Sequence, residues 1–293
     1  MKMIKNLYYA VPIAIMAIGF TACTQDEDTA PTLKGQEINA TFSVGGVQTR
    51  VNTLGTGTSW EDGDQLKVKA STEYNSCGPT VLSFDAETNK WSRSRDFHWL
   101  SEDSEHTILA VYPSTAEFNT YALSTDQSTI AKLKAADLIN GYTNCNPYSV
   151  VDVSVPMKHR MSMVTVTYEV GTADYPDMDI SEPQVCSKYA SVTFSNDLVM
   201  TKPTTTTSTW VTAYKHDTNK FSAIVIPSSY SAGDVFLKLK VGDKNFSVKM
   251  YKATEFQEGY RYEYKVKVGE NKVELTEINA GTFDGWTNEE DLN

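Results

Sequence analysis

Val235-Phe236-Leu237-Lys238-Leu239-Lys240-Val241-Gly242-Asp243-Lys244-Asn245-Phe246-Ser247-Val248-Lys249-Met250 reads as two strands and the turn between them. Val235, Leu237, Leu239 and Val241 alternate with Phe236, Lys238 and Lys240, the period of two that puts one face of a strand in a core and the other in water. Gly242 to Asn245 supplies the turn, and Phe246, Val248 and Met250 resume the alternation. A third run follows in Tyr260, Tyr262, Tyr264, Val266 and Val268, opposed by Arg261, Glu263, Lys265 and Lys267. Gly269-Glu270-Asn271 then turns the chain into Val273, Leu275 and Ile278. Runs of this kind describe an antiparallel meander with one wet face.

The rest of the chain agrees with an all-β protein. Thr (34), Val (25) and Tyr (16) make up about a quarter of its 293 residues, a bias toward the side chains that favour strands. Toward the N-terminus, Ile38, Ala40, Phe42 and Val44 alternate with Glu37, Asn39, Thr41 and Ser43, and Gly45-Gly46 interrupts the pattern before Val47 to Arg50. In the middle, Val151 to Val155 is extended up to Pro156, and Met161 to Tyr168 takes up the pattern again. Lys202-Pro203 and Thr204 to Thr207 read as an exposed loop. The helical candidate is a short stretch around Thr129 to Ile139, carrying Ile130, Leu133 and Leu138. A boundary near residue 155 divides the chain into an N-terminal domain, 37–155, and a C-terminal domain, 156–293.

The first 36 residues carry an address. Lys2 and Lys5 precede an apolar run from Leu7 to Phe20, too short to span a bilayer and shaped like the core of a signal peptide. It closes on Phe20-Thr21-Ala22-Cys23. Small residues before a single cysteine resemble a lipobox, with Phe20 in place of the usual leucine. This makes 1–22 a lipoprotein signal peptide and Cys23 the lipidated N-terminus. Residues 23–36, with the acidic cluster Asp26-Glu27-Asp28 and then Pro31 and Gly35, read as a tether. Without the two leader lysines, 24 basic residues face 37 acidic ones. An acidic chain with no basic stripe lacks the footprint of a nucleic-acid binder and of a polybasic membrane-surface protein.

The chemistry-bearing residues do not assemble into an active site. His98, His106, His159 and His216 show no metal-binding spacing, and no nucleophile elbow or phosphate-binding glycine loop is present. Asp174, Asp177, Asp179 and Glu182 read as a solvated acidic loop, without the glycine and distant glutamate of an EF-hand. Trp60-Glu61-Asp62-Gly63-Asp64 reads as a turn, and His159 as a hydrogen-bonding residue at a strand end. Cys77, Cys145 and Cys186 are expected to be mostly free, buried thiols, with room for one disulfide. The expectation is a protein that is not an enzyme and needs no cofactor or metal.

Several motifs in order then resemble those of the fimbrillin family, the lipoprotein pilins of type V fimbriae. They are the acidic lipoprotein leader, Thr49-Arg50-Val51, Trp60 to Asp64, Ala136-Asp137-Leu138-Ile139, His159-Arg160-Met161, Ala223 to Pro227, Phe256 to Tyr262, and Trp286. The resemblance implies two antiparallel β-sandwich domains of transthyretin-like type. It also implies export as an outer-membrane lipoprotein and assembly with other fimbrial subunits, as homo- or hetero-polymer, by strand exchange. In stalk subunits of that family a protease with arginine specificity removes the first strand, and a strand of the next subunit fills the groove. Here the resemblance places the cut at Arg50 and Ile38, Ala40, Phe42 and Val44 on the exchanged strand. Asp28-Thr29-Ala30 resembles an O-glycosylation sequon, with Thr29 as acceptor. Residues 279–293 lack the alternation of a donor strand, which points to a tip or accessory subunit contributing to adhesion to a host or bacterial surface ligand. The alternative is a surface glycan-binding lipoprotein, favoured if Trp91, Trp99 and Tyr112 form an exposed aromatic platform rather than pack in the core, the more common outcome for such side chains.

Overall fold

A computed structural model describes residues 32–45, 50–51, 58–147, 152–169, 180–216, 219–268 and 273–280, and these are all-β apart from one helix. The hairpin written in the opening stretch is present. Val235–Val241 pairs antiparallel with Lys244–Lys249, and Gly242 opens the two-residue loop at φ +56°. A primed hairpin turn requires a positive φ at that position, which glycine takes without steric cost. Leu237, Leu239 and Val241 are buried while Lys238 and Lys240 are half-exposed. Phe236 breaks the alternation. The register shifts between Val235 and Leu237, as at a β-bulge, so that Phe236 also faces inward, its ring 4.9 Å from that of Tyr264 in the opposite sheet.

The expected meander is divided between two sheets. Arg261–Val268 does not pair with Lys244–Lys249; it lies parallel to Ser162–Glu169 and forms a hairpin with Val273–Ala280. Between the two hairpins, Thr254–Glu255 pairs with Ser229–Tyr230 and Phe256 is buried, so the connection crosses from one layer to the other. Alternation reports which face of a strand is wet; it does not report which strand lies beside it. The outcome is a four-stranded sheet (209–212, 180–187, 235–241, 244–249) facing a five-stranded one (214–215, 220–225, 162–169, 261–268, 273–280). Their inner faces, including Val185, Leu237 and Leu239 on one side and Val164, Phe221, Tyr262 and Tyr264 on the other, share one core.

A second core belongs to a seven-stranded sheet in the order 40–44, 153–159, 139–145, 106–112, 65–71, 76–85, 90–91. All its pairings are antiparallel except the outermost, where Ala40–Val44 runs parallel to Val153–His159. The sheet curls until its two outer strands meet. The ring of Phe42 stands edge-on to that of Trp91, with centroids 5.4 Å apart.

From Leu33 onward the two cores lie in one compact unit. The core shared by the paired sheets also takes in Val111, Tyr121, Leu123, Leu133, Ala136 and Leu138, all from before residue 155. The helical candidate appears as Ile130–Ala136, with Thr129 as N-cap accepting from the Lys132 amide. A helix this short draws its stability from packing, here through Leu133 and Ala136.

Candidate strand-docking site

The chain segment from Gly35 to Val44 is bound along both of its edges. On one edge the Gly35 and Ile38 amides donate to the Trp99 and Phe97 carbonyls at 2.8 and 3.0 Å, and the Trp99 amide donates to Gln36 at 2.9 Å. On the other, the Val153 amide donates to the Asn39 carbonyl at 2.9 Å, and Gly45 donates to Met157 at 3.3 Å. Between these last two bonds the register runs from Ala40 opposite Val153 to Val44 opposite Met157. In a parallel ladder alternate residues turn their backbone groups to the same neighbour. Val153, Val155 and Met157 therefore face the first strand, and Pro156, which has no amide to offer, falls on the position facing away. Outside the ladder, Thr41 Oγ1 donates to the Val153 carbonyl, and the Asn39 side-chain amide donates to the Asp152 carboxylate. Pairing thus begins at Gly35, inside the stretch that the sequence assigns to the tether, because Gln36 already has a backbone partner in Trp99.

The side chains of this strand complete the core of the seven-stranded sheet. Ile38, Ala40, Phe42 and Val44 expose 3%, 8%, 3% and 0% of their surface. Ile38, Phe42 and Val44 each contribute roughly 1.5–3 kcal/mol by leaving water, about 5–9 kcal/mol together. The whole stability of an ordinary domain is about 5–15 kcal/mol, so the core is not expected to hold with this seat empty.

The turn at 61–64 supplies one further element of the seat. Gly63 sits at φ +81°, the Asp64 amide donates to the Glu61 carbonyl at 3.0 Å, and the Glu61 amide donates to Asp64 Oδ2 at 2.7 Å. Burial pushes the Asp64 carboxyl above its usual range. The turn holds Trp60 under the first strand, where its indole Nε1 donates to the Phe42 carbonyl at 2.7 Å. Phe42 O lies on the edge turned away from 153–157, so the indole satisfies an acceptor that the ladder leaves open. The Trp60 ring also stands edge-on to Trp91 at 5.0 Å and near Tyr112 at 5.7 Å, and Trp91 lies 5.2 Å from Phe84. The turn is legible in the sequence but this role is not, since it takes the indole to the backbone of a residue 18 positions earlier.

A buried polar cluster anchors the far end of strand 153–159. His159 Nδ1 lies 2.9 Å from Asp137 Oδ1, both groups buried, so His159 is the strand-end hydrogen-bonding residue that the sequence suggests. Next to it, Arg160 donates through Nε to the Asn140 side chain and through Nη1 to Glu258 Oε2 at 3.0 Å. Burial pulls the Arg160 guanidinium below its ordinary range, with Glu258 opposing the shift. The motifs around Asp137, His159 and Glu258 therefore meet at one place, between the two cores.

Other candidates fall elsewhere. Cys23 and Thr29 lie outside the described residues, as do Asp174, Asp177 and Asp179. Arg50 lies in a two-residue strand, Arg50–Val51, paired antiparallel with Thr58–Ser59. Trp91, Trp99 and Tyr112 form no surface platform: Trp99 and Tyr112 are buried and Trp91 packs against the same core, since each faces the inside of the curled sheet. Cys77, Cys145 and Cys186 are free and buried. Among the described residues no group of three or more His, Cys, Asp or Glu side chains could hold a metal ion, and no helix is long and apolar enough to cross a membrane.

The fold is shared with solved proteins of low sequence identity. A candidate cell adhesion protein of Bacteroides uniformis is 18% identical, with a TM-score of 0.61 over 84% of this chain and 97% of its own. One of Bacteroides ovatus is 15% identical, with a TM-score of 0.58 over 86% and 98%. A fimbrial protein of Bacteroides vulgatus is 13% identical, with a TM-score of 0.50 over 86% and 99%. No curated protein matches the sequence. The family described as fimbrillin-like matches residues 49–284, which include the Trp60 turn, both faces of the paired sheets and the cluster around Arg160, and the chain belongs to that family.

Proposed function

We propose that this protein is a structural, tip or accessory subunit of surface fimbriae, tethered to the outer membrane through lipid on Cys23 and assembled by strand exchange. The observation that carries the proposal is the construction of the seat. Segment 35–44 is held without covalent bonds in a groove whose recorded partners, Trp60, Trp91, 97–99 and 152–157, all lie beyond Arg50 in the chain. One cut at Arg50 separates occupant from groove, and with the occupant goes the lipid anchor. An apolar groove with an unpaired strand edge accepts another strand of matching pattern. Adhesion, through a surface ligand, is the purpose such a subunit serves.

Two measurements test this reading. Mass spectrometry of the membrane-bound protein is expected to find an acylated Cys23 at the mature N-terminus; an unmodified terminus at another residue refutes the anchor. In cells that assemble the filaments, Arg50→Ala is expected to leave a longer, membrane-bound, unassembled chain. Entry of that variant into filaments at the normal mature length removes Arg50 as the switch.

A further inference from the structure

The hydrogen-bond ladder of the seat does not by itself fix what occupies it. A strand shifted by two residues along 153–157 keeps every side chain on its face and re-forms the same type of backbone bonds. The Trp60 indole would then meet a carbonyl two residues away as readily as it meets Phe42. What differs between registers is the side-chain slot. Phe42 stands edge-on to Trp91, and Trp91 is itself braced by Trp60 and Phe84. A two-residue slip brings Ala40 or Val44 to that aromatic wall and leaves a void. The same slip drives the Phe42 ring into the place of Ala40 or of Val44, both buried.

We infer that the aromatic wall makes the seat selective: its occupant is an extended segment parallel to 153–157, with an aromatic side chain at the position of Phe42 and apolar ones two residues to either side. That the natural occupant comes from another subunit rests on the strand-exchange reading; the selectivity does not. Trp60 is a positioning residue in this scheme. Its N–H holds the occupant's outer edge, and its ring holds Trp91 at the angle that receives the aromatic group. Because Trp60 and Trp91 both lie after Arg50, they stay with the groove when the resident strand leaves.

The test uses the full chain. Amide hydrogen exchange over 35–44 is expected to quicken about tenfold in Trp60→Phe, which keeps a ring and loses the donor. It should quicken at least about a hundredfold in Phe42→Ala, while the amides of 162–169 and 261–268 keep their protection. A synthetic peptide with the sequence of residues 36–45 is then offered to the Phe42→Ala chain, and a second peptide lacks the aromatic in any register (Phe42→Ala). Capture of the first peptide at least about tenfold better than the second, with protection restored at 153–157, is the expected result. Equal capture of both peptides overturns the selectivity, and so does no capture of the first while the resident strand exchanges freely. If Phe42→Ala does not fold, the same comparison is made on Trp60→Phe. Normal filament entry by Arg50→Ala would defeat strand exchange and leave the peptide preference unaffected, so the two readings fail separately.

Discussion

Gly141→Ala is expected to destabilise the core of the seven-stranded sheet by about 3 kcal/mol or more, because the added methyl has nowhere to go. A Cβ at residue 141 would lie 2.0 Å from the Pro156 carbonyl oxygen and 2.8 Å from Met157 Cα. Both obstacles are backbone, so relief requires strands 139–145 and 153–159 to move apart. They pair only over Met157–His159 among the described residues, opposite Gly141 to Ile139, so there is little ladder to spare. Displacing 153–157 also displaces the surface on which the first strand lies. Urea unfolding followed by aromatic fluorescence should give a lower midpoint, and hydrogen exchange should show protection lost over 35–44 before 261–268. Gly63→Ala serves as the control. It has open space around it and only the left-handed φ of +81° to oppose it, so its cost should be about 1–2 kcal/mol. A Gly141→Ala chain within about 0.5 kcal/mol of wild type would show that the close approach does not constrain the sheet.

Val44→Asp is expected to cost more than about 4 kcal/mol at neutral pH. Val44 is fully buried opposite Met157, and a carboxylate there would be removed from water among apolar side chains. Burial raises the folded-state pKa of such a group above its unfolded value of about 3.9. A raised folded pKa means that the protonated form is the tolerated one. The Asp variant should therefore match Val44→Asn below about pH 4 and fall behind it as pH rises through the folded pKa. Parallel denaturation series for the two variants measure the difference directly. If the Asp–Asn difference stays flat with pH, residue 44 is not buried in the working protein.

These effects depend on contacts that the sequence reveals unevenly. The faces of the strands were legible wherever one side is wet: Ile38 to Val44, Leu237 to Val241 and Tyr262 to Val266 all bury the residues that period two selects. The short helix was legible from Ile130 and Leu133, and the Trp60 turn from Gly63 and its flanking carboxylates. Phe236 falls on the wet face by alternation yet is buried, because a bulge adds one residue to one strand only, and nothing local marks it. No aromatic platform forms either, in line with core packing as the commoner outcome for such side chains. Trp91, Trp99 and Tyr112 are large enough to serve either a surface or a core, and only the curl of the sheet turns them inward. The buried pairing of Asp137 with His159, and of Arg160 with Glu258, joins positions 22 and 98 residues apart.

By itself the sequence determined the β class and the wet and dry faces of most strands, and its ordered motifs resemble those of the family. The class and the faces follow from side-chain type and spacing, which act over a few residues. The tertiary structure alone decided that 40–44 lies parallel to 153–157, that 261–268 lies parallel to 162–169 rather than beside 244–249, and that the Trp60 indole caps the first strand. The physical reason is that backbone hydrogen bonds are the same for every residue but proline, so a strand's partner is not written in its own pattern. It is chosen where apolar faces from distant parts of the chain must close over one core, as Phe42 and Trp91 do at the seam of the curled sheet.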